Sequence, residues 1–559
     1  MVVSKVCAGR VSFLNITLTE RRALFLVIAA TLFVYANSLS GEFIFDDTMQ
    51  VVGNPQLRSW KNFFHFFVSD VWSFQRIITP AQQFAPYYRP LFLVYLLVGY
   101  QVFGLWASGW HLMSIGVHTG ATVAVYYLIR RLSGRWKTAA LAALIFGIHP
   151  THVESVAWIS GIPDPLAVLF YVPAFFYYLR YRERGNKSWF AASLFAYSLA
   201  LLCKEATITL PAVIVVWEIV RGERMKLKAR LRHLSYAISP YALIGLAYLS
   251  VRFAVMGKVS WVNPGMTKAD DLSLLMTVPS VVLFYIKNLL APFYLSIVYY
   301  PPLANGVTDL LFLLPTLLLV GIGVMLCVYR HRISPDVWIG LALLITPLLP
   351  VLYIKVFHQA YIVQDRYLYL PSVGFCFLVA LFITCLARRR SLIAAALTGM
   401  IIVSFGISTM MQNRVWHDSV ALWQRAVEYA PDFWAVHFNL GQAYLEHGNS
   451  EAARTEFLTA VQKDSTIPTV YSNLSYAQRN LGDNHSAIES LREAIAINPD
   501  FMDARRDLGR LLFDSGDLEG AHEQFSIILM IKPMHPARYE LDRATVAIHR
   551  RAESSAEVK

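Results

Sequence analysis

Apolar stretches separated by short polar segments fill the chain between residues 23 and 411. Most of these stretches approach the roughly 20 residues that a helix needs to cross a bilayer. The pattern predicts eleven membrane-spanning helices within residues 1–412, of which 137–149 is short. The predicted spans are 23–39, 111–130, 137–149, 164–181, 189–203, 205–220, 235–255, 309–329, 336–352, 367–387 and 391–411.

Basic residues occur in short clusters between the apolar stretches rather than evenly along the chain. Cytoplasmic loops of membrane proteins carry an excess of lysine and arginine, so the clusters are predicted to lie on the cytoplasmic side. The clusters are Arg21–Arg22, Arg130–Lys137, Arg180–Lys187, Arg221–Arg232, Arg330–Arg332 and Arg388–Arg390.

Two further apolar stretches, 90–104 and 273–293, cannot both cross the bilayer while all six clusters stay on one side. Each also carries aromatic or basic residues that suit a helix at the membrane surface, so we expect both to lie at the outer surface. With eleven crossings, the N-terminus is predicted to be cytoplasmic. The C-terminal part is then expected in the periplasm of a bacterium or in the endoplasmic reticulum lumen of a eukaryote.

After residue 412 the pattern changes, and residues recur with a period of 34. This is the period of the tetratricopeptide repeat, a helix–turn–helix unit that stacks into a solenoid. We predict about three and a half repeats in 413–545, followed by a polar tail at 546–559, and an all-α fold for the whole chain. Residues in register include Asn439, Asn473 and Asp507; Gly448, Gly482 and Gly516; Ala453, Ala487 and Ala521; and Phe457, Leu491 and Phe525.

Composition agrees with a membrane protein, because 56% of the residues are hydrophobic and only 15% are charged. The formal net charge of +12 arises from the clusters between spans, so it does not indicate a nucleic-acid partner. The five cysteines all precede residue 413 and imply no disulfide framework.

Asp46 and Asp47 stand directly after Phe43–Phe45, where the first predicted span leaves the membrane. Ionisable groups at a membrane edge are costly, and they therefore often mark a functional site. The pair is our leading candidate for the chemistry. The alternative is a solvated helix exit with no catalytic role.

Further polar residues fall on the predicted outer side. His149, His152 and Glu154 have a spacing that could hold a divalent metal, or they could form a polar loop that orients Asp164. Lys204 beside Glu205 is compatible with a simple ion pair or with a phosphate contact. The other candidates are His111, Arg89 and the pair Arg366–Tyr367.

Arg366 is followed by Tyr367 where the last outer loop re-enters the membrane. A guanidinium group matches phosphate oxygens, and tyrosine suits the membrane interface, so this pair is a candidate for a lipid phosphate. The alternative is an aromatic belt with a snorkelling arginine.

Taken in order, these motifs resemble the transmembrane and tetratricopeptide-repeat containing O-mannosyltransferases and their bacterial relatives, in the GT-C class of glycosyltransferases. The resemblance covers nearly the full chain. Its motifs are Phe45–Asp47 with Asn54–Pro55, Tyr88–Leu91, Trp110–Leu112 with His118, His149–Ser155, Lys204–Glu205 and Arg366–Ser372.

The resemblance implies a polyprenyl-phosphate sugar as donor, with mannose or another hexose as the sugar. It implies that Asp46 or Asp47 acts as general base on an acceptor hydroxyl in an inverting transfer, and that Arg366, Lys204 and Tyr367 contact the donor phosphate. The acceptor is expected to be a protein or peptide that the repeats bind, with no obligatory cofactor and a divalent cation possible. The alternative is an inactive membrane scaffold or envelope assembly factor.

The chain departs from its expected bacterial relatives after the His-Pro loop. Where those relatives often carry a basic pair before an aspartate, residues 161–165 contain Asp164 without the basic residues. A donor-phosphate contact in this loop is therefore not expected, and the sugar or the lipid can differ from that of the relatives.

Overall fold

A computed structural model describes residues 18–75, 87–222, 225–257 and 270–557. These residues form helices and connecting turns, and no strand occurs among them. The chain divides into two compact units, Met1–Asp418 and Ser419–Lys559. The predicted cytoplasmic N-terminus and parts of the basic cluster at 221–232 lie outside the described residues, as do the last two residues of the predicted tail.

Thirteen α-helices of eleven or more residues build the described part of the first unit. Short 3-10 helices interrupt them, and several of these lie at the candidate site described below. The thirteen helices are Leu18–Tyr35, Pro90–Phe103, Ala107–Ser133, Trp136–Gly147, Pro163–Arg184, Lys187–Cys203, Leu210–Arg221, Leu227–Met256, Asp271–Leu290, Leu310–Val328, Pro335–Ile345, Ser372–Leu386 and Ser391–Val415.

Seven helices in the described ranges are long and apolar enough to cross a membrane, or eight if the bent pair Trp136–Gly147 and Pro150–Val156 forms one span. The predicted count of eleven is therefore not confirmed. The apolar helices at 187–203 and 372–386 are shorter than a full span, and the predicted span 205–220 contains a helix of only 12 residues, Leu210–Arg221. Short 3-10 segments take up the residues that the predicted spans had assigned to their ends.

Helix Asp271–Leu290 passes the criteria for a span, which differs from the surface position that we predicted for 273–293. The prediction depended on keeping every basic cluster on one side, whereas the helix itself has 20 residues and enough apolar length to cross. Pro90–Phe103, the other predicted surface helix, has only 14 residues.

Several of these helices expose their apolar side chains. Only 6% of an apolar 18-residue stretch in helix Leu310–Val328 is buried inside the protein. The corresponding share in helix Ser391–Val415 is 17%. Such surfaces are unfavourable in water and favourable in lipid, so the first unit is a multi-pass membrane unit.

Ion pairs join the helix ends that carry the basic clusters. Arg130 pairs with Glu20 at 2.8 Å, and Arg182 pairs with the buried Glu218 at 2.6 Å. Arg221 pairs with Asp336. The basic ends of these helices therefore meet one another, and most of the candidate site residues lie at or beyond the other ends of the same helices.

The segment after the first helix folds onto the helix Pro90–Phe103. Its apolar side chains Val51, Leu57, Phe66 and Phe74 are buried in one cluster with residues of that helix. Burial of such side chains typically contributes about 1.5–3 kcal/mol each. The segment that follows Asp46 and Asp47 is therefore packed against the helix Pro90–Phe103.

The second unit consists of eight helices in the described range, and the 34-residue register explains their turns. Gly448, Gly482 and Gly516 adopt φ values of 76°, 82° and 89°, which glycine tolerates best. The next residue in each repeat, Asn449, Asp483 or Asp517, caps the following helix with its side chain. The helices are Ser419–Tyr429, Trp434–Glu446, Ser450–Lys463, Pro468–Asn480, Asn484–Ile497, Met502–Asp514, Leu518–Ile531 and Ala537–Glu557.

The last helix continues through most of the predicted polar tail at 546–559 and ends at Glu557. Its start lies on the core, since Ala537 and Ala544 are fully buried among the last repeat helices.

Candidate functional site

A cavity of about 550 Å³ lies in the first unit where several loops and helix ends meet. Its walls combine charged groups with apolar side chains such as Phe92, Leu249 and Val351. The charged residues that line it are Asp46, Arg89, Asp164, Lys204, Glu205, Arg252 and Arg366. Four cationic side chains and three carboxylates therefore line the cavity.

Asp46 lies on the cavity wall in the turn that leads to the short π-helix Thr48–Val52. The preceding residue, Phe45, has a φ of 53°, which is unusual for a bulky side chain and is typical of functional sites. Burial raises the pKa of Asp46 to about 6, while the Arg366 guanidinium opposes the rise. A carboxylate with this pKa can accept a proton near neutral pH.

Asp47 does not line the cavity and is fully buried. Its Oδ1 accepts hydrogen bonds from the Ser160 hydroxyl at 2.5 Å and from the Ser160 backbone N–H at 2.8 Å. Its Oδ2 accepts a longer bond from the backbone N–H of Ile44 at 3.4 Å. The two neighbouring aspartates therefore differ, with Asp46 open to the cavity and Asp47 tying its loop to Ser160.

Arg366 lies in the 3-10 helix Asp365–Leu368. Glu154 holds it twice, because Oε1 accepts from Nη1 at 2.8 Å and Oε2 accepts from the Arg366 backbone N–H at 2.9 Å. The guanidinium also lies 5.4 Å from the ring centre of Trp158 and 5.6 Å from that of Tyr367. These contacts fix the orientation of the guanidinium at the cavity wall.

Lys204 begins the turn after helix Lys187–Cys203, and its Nζ lies 2.6 Å from both carboxylate oxygens of Asp164. The same Nζ lies 5.4 Å from the ring centre of Tyr367. Burial lowers the pKa of Lys204, and the Asp164 carboxylate opposes that shift. Lys204 therefore forms an ion pair, although with Asp164 rather than with the neighbouring Glu205, and it also lines the cavity.

Arg89 and Glu205 form a two-pronged ion pair, with Nη2 to Oε1 at 2.8 Å and Nε to Oε2 at 3.1 Å. Arg252 lies 3.7 Å from the same carboxylate. Although burial opposes ionisation, Arg89 and Arg252 hold the pKa of Glu205 well below its usual range. Two guanidinium groups therefore share one carboxylate on the cavity wall.

Three predicted histidines lie away from the cavity. His111 is buried against Gly41, where a Cβ would lie only 2.9 Å from Nε2. The Nε2 of His149 lies 3.2 Å from the Leu289 carbonyl, and the Nε2 of His152 lies 2.8 Å from the Ser372 hydroxyl.

These partners do not form a metal site. Across the described residues, no group of three or more His, Cys, Asp or Glu side chains is arranged to hold a metal ion. His149 and His152 make the contacts with Leu289 and Ser372 that are named above. Glu154 pairs with Arg366.

Sequence reasoning missed three residues of this site. Trp158 and Ser160 are uncharged and lie in a stretch whose only marked residue was Asp164. Arg252 lies near the end of helix Leu227–Met256, in a stretch predicted as a plain span. An arginine inside a predicted span is the signal that could have identified it, because charges in spans usually face the protein interior or a water-filled cavity.

The fold and site define a class, namely a multi-pass helical membrane protein with a cavity lined by charged side chains, followed by tetratricopeptide repeats. Comparisons with known proteins agree. A family described as dolichyl-phosphate-mannose-protein mannosyltransferase matches residues 89–256, and tetratricopeptide repeats match 410–466 and 480–541.

The chain is 26% identical to protein O-mannosyl-transferase TMTC4 of Homo sapiens over 476 residues, covering 75% of this chain and 63% of the relative. It is 24% identical to protein O-mannosyl-transferase TMTC3 of Homo sapiens over 539 residues, covering 89% and 57%. The chain thus spans less than two thirds of the length of these relatives. The solved structure of ArnT from Cupriavidus metallidurans bound to undecaprenyl phosphate is 15% identical, with a TM-score of 0.38 over 86% of this chain and 80% of ArnT.

The chain is therefore homologous to the transmembrane and tetratricopeptide-repeat containing O-mannosyltransferases, and the resemblance predicted from its motifs is confirmed.

Proposed function

We propose that the protein is an inverting glycosyltransferase of the GT-C class that transfers mannose or another hexose from a polyprenyl-phosphate donor to a hydroxyl group. The observation that carries the proposal is the position of Asp46, a carboxylate with a raised pKa on the wall of a cavity that also presents Arg366 and Lys204. A base and a cationic phosphate site within one cavity are the parts that this reaction needs.

In the proposed step, Asp46 accepts the proton of the acceptor hydroxyl as the oxygen attacks the anomeric carbon. The bond between that carbon and the phosphate oxygen breaks, and the electron pair leaves with the lipid phosphate. One displacement inverts the anomeric configuration. A phosphate leaves without a strong general acid, so one carboxylate suffices, in contrast to the pair that glycoside hydrolysis uses.

Arg366 is the proposed phosphate ligand, because Glu154 and Trp158 hold its guanidinium at the cavity wall before any substrate binds. Such preorganised charge is the usual source of transition-state stabilisation. Lys204 adds a second positive group, and Tyr367 lies against both cations. The apolar walls at Phe92, Leu249 and Val351 suit the first units of a polyprenyl chain.

The identity of the donor is supported by the matched family, whose description names dolichyl phosphate mannose. We propose that the cavity opens on the non-cytoplasmic side and that the repeats bind the acceptor protein or a partner. We also propose that no metal ion is obligatory, since four side-chain cations already line the cavity.

The test is transfer of radiolabelled sugar from polyprenyl-phosphate mannose, and from other hexose donors, by the purified chain in nanodiscs. Asp46→Asn is the inactivating variant. Glu42→Gln is the matched control, because Glu42 is an exposed carboxylate in the same loop that does not line the cavity. We expect transfer by the wild type and by Glu42→Gln, with and without EDTA, and none above background by Asp46→Asn.

Absence of transfer from every donor by a folded wild type, together with tight binding of a partner to the repeats, would contradict the proposal. That result would support the scaffold alternative.

A further inference from the structure

Trp416 lies between the long apolar helix Ser391–Val415 and the first repeat helix, which begins at Ser419. It is 2% exposed and does not line the cavity. Its indole stacks on that of Trp158, with ring centres 5.8 Å apart and an angle of 24° between the planes. A buried stacked pair of this kind stabilises the fold by more than the burial of its apolar area alone.

Trp158 also contacts both halves of the proposed chemistry. Its ring centre lies 5.5 Å from that of Phe45, the residue before the proposed base Asp46. It lies 5.4 Å from the guanidinium carbon of Arg366, the proposed phosphate ligand. Phe45 has a φ of 53°, and an unfavourable backbone conformation of this kind persists only where the surrounding structure enforces it.

The residues around Trp416 are hydrogen-bonded to the loop that leads to Asp46. The carbonyl of His417 accepts a hydrogen bond from the backbone N–H of Glu42 at 2.9 Å. The Asn413 side chain donates to the Val34 carbonyl at 2.8 Å and to Asn37 Oδ1 at 2.7 Å. The segment 413–417 therefore holds both ends of the loop 36–42.

We propose that Trp416 is a positioning residue for the sugar transfer, and that by backing Trp158 it fixes Asp46 and Arg366 relative to each other. This inference rests on the proposed function for its kinetic consequence. Trp416 does not line the cavity that holds Asp46 and Arg366, so in this proposal it acts through Trp158 and Phe45.

The kinetic test compares Trp416→Ala and Trp416→Phe with the wild type. Loss of positioning costs rate rather than donor affinity, so we expect Trp416→Ala to lower kcat by about 10-fold to 100-fold with a much smaller change in KM. Trp416→Phe keeps an aromatic ring against Trp158 and should restore most of kcat. The matched control is Trp423→Ala, which removes another buried tryptophan from the first repeat helix.

A second measurement needs no activity. Hydrogen exchange of the full chain in nanodiscs should accelerate at residues 42–52 and 364–369 in Trp416→Ala and stay unchanged there in Trp423→Ala. If the wild type transfers no sugar, the proposed function fails and this exchange alone decides the inference. Unchanged exchange at 42–52 in Trp416→Ala, or an equal loss of kcat in Trp423→Ala per folded molecule, would overturn it.

Discussion

Ser160 donates two hydrogen bonds to one carboxylate oxygen of Asp47, one from its hydroxyl at 2.5 Å and one from its backbone N–H at 2.8 Å. The two residues are 113 positions apart in the chain, so this contact joins the first loop to the turn Ile159–Gly161. Asp46, the next residue along, is left to face the cavity. The acidic pair thus combines a residue that anchors the loop with the proposed base.

We expect Ser160→Ala to lower the free energy of unfolding by about 1–3 kcal/mol, because a buried carboxylate loses a hydrogen bond. Transfer by the folded fraction should fall much less than in Asp46→Asn, since Asp47 does not line the cavity. Thermal unfolding in detergent and the transfer rate are the two measurements. Ser160→Thr keeps the hydroxyl and serves as the control. An unchanged midpoint in Ser160→Ala would show that the contact does not anchor the loop.

Asp46 also predicts a pH dependence. Its pKa is raised to about 6, and only the ionised form can accept a proton. The transfer rate should therefore rise with pH through about 6 and level off above it. Arg366 favours the ionised form of Asp46, so Arg366→Gln should move this rise to higher pH and lower the plateau.

The measurement is kcat/KM against pH for the wild type, Arg366→Gln and Asp47→Asn. Asp47 is the necessary control because burial raises its pKa too, to about 7, against the hydrogen bonds from Ser160 and Ile44. If the rise at low pH disappears in Asp47→Asn while activity remains, then the rise reports the titration of Asp47 rather than that of Asp46.

The ion pair between Lys204 and Asp164 allows a structural role to be separated from a phosphate-binding role. Both side chains are buried, with 7% and 6% exposed. Lys204→Met leaves the Asp164 carboxylate buried without its partner, which should cost about 3–5 kcal/mol of stability. Adding Asp164→Asn should restore most of the thermal midpoint.

Restored stability without restored transfer in the double variant would assign Lys204 to the donor phosphate. Recovery of both would make the pair purely structural. The donor KM measured for the double variant distinguishes these outcomes, because a lost phosphate contact raises KM or lowers kcat in a protein that is folded normally.

The sequence predicted the parts of this molecule that depend on local pattern. The repeats were predictable because Gly448, Gly482 and Gly516 take the same turn conformation at a fixed spacing. Asp46, Lys204 and Arg366 could be selected because charges next to apolar stretches are costly. Which of them share a cavity could not be predicted, since no local rule fixes contacts between distant loops.

The predicted number of spans is not confirmed, and the reason is physical. Basic clusters indicate the side on which a loop lies, but they do not show whether an apolar stretch is one continuous helix. In this chain short 3-10 helices such as Glu205–Thr209 interrupt the predicted spans and carry site residues. Arg252 was missed for a related reason, because the pattern of a span does not reveal which face meets a cavity.

The repeats offer a prediction that is independent of the chemistry. A Cβ on Gly441 would lie 2.6 Å from the Phe457 ring, and one on Gly509 would lie 2.6 Å from the Phe525 ring. The middle repeat has Ser475 at the same register, and its partner position holds the smaller Leu491. In these repeats glycine therefore occurs opposite phenylalanine, and serine occurs opposite the smaller leucine.

Gly441→Ser alone should destabilise the repeats by about 1–3 kcal/mol, because it overpacks the site against Phe457. Adding Phe457→Leu reproduces the pair of the middle repeat and should recover part of that loss, although Phe457→Leu alone leaves a cavity beside Gly441. Hydrogen-exchange protection of residues 434–463 in the full chain measures both effects. Residues in contact are expected to couple by about 0.5–3 kcal/mol. If the losses of stability in the two single variants simply add in the double variant, the two positions do not compensate each other.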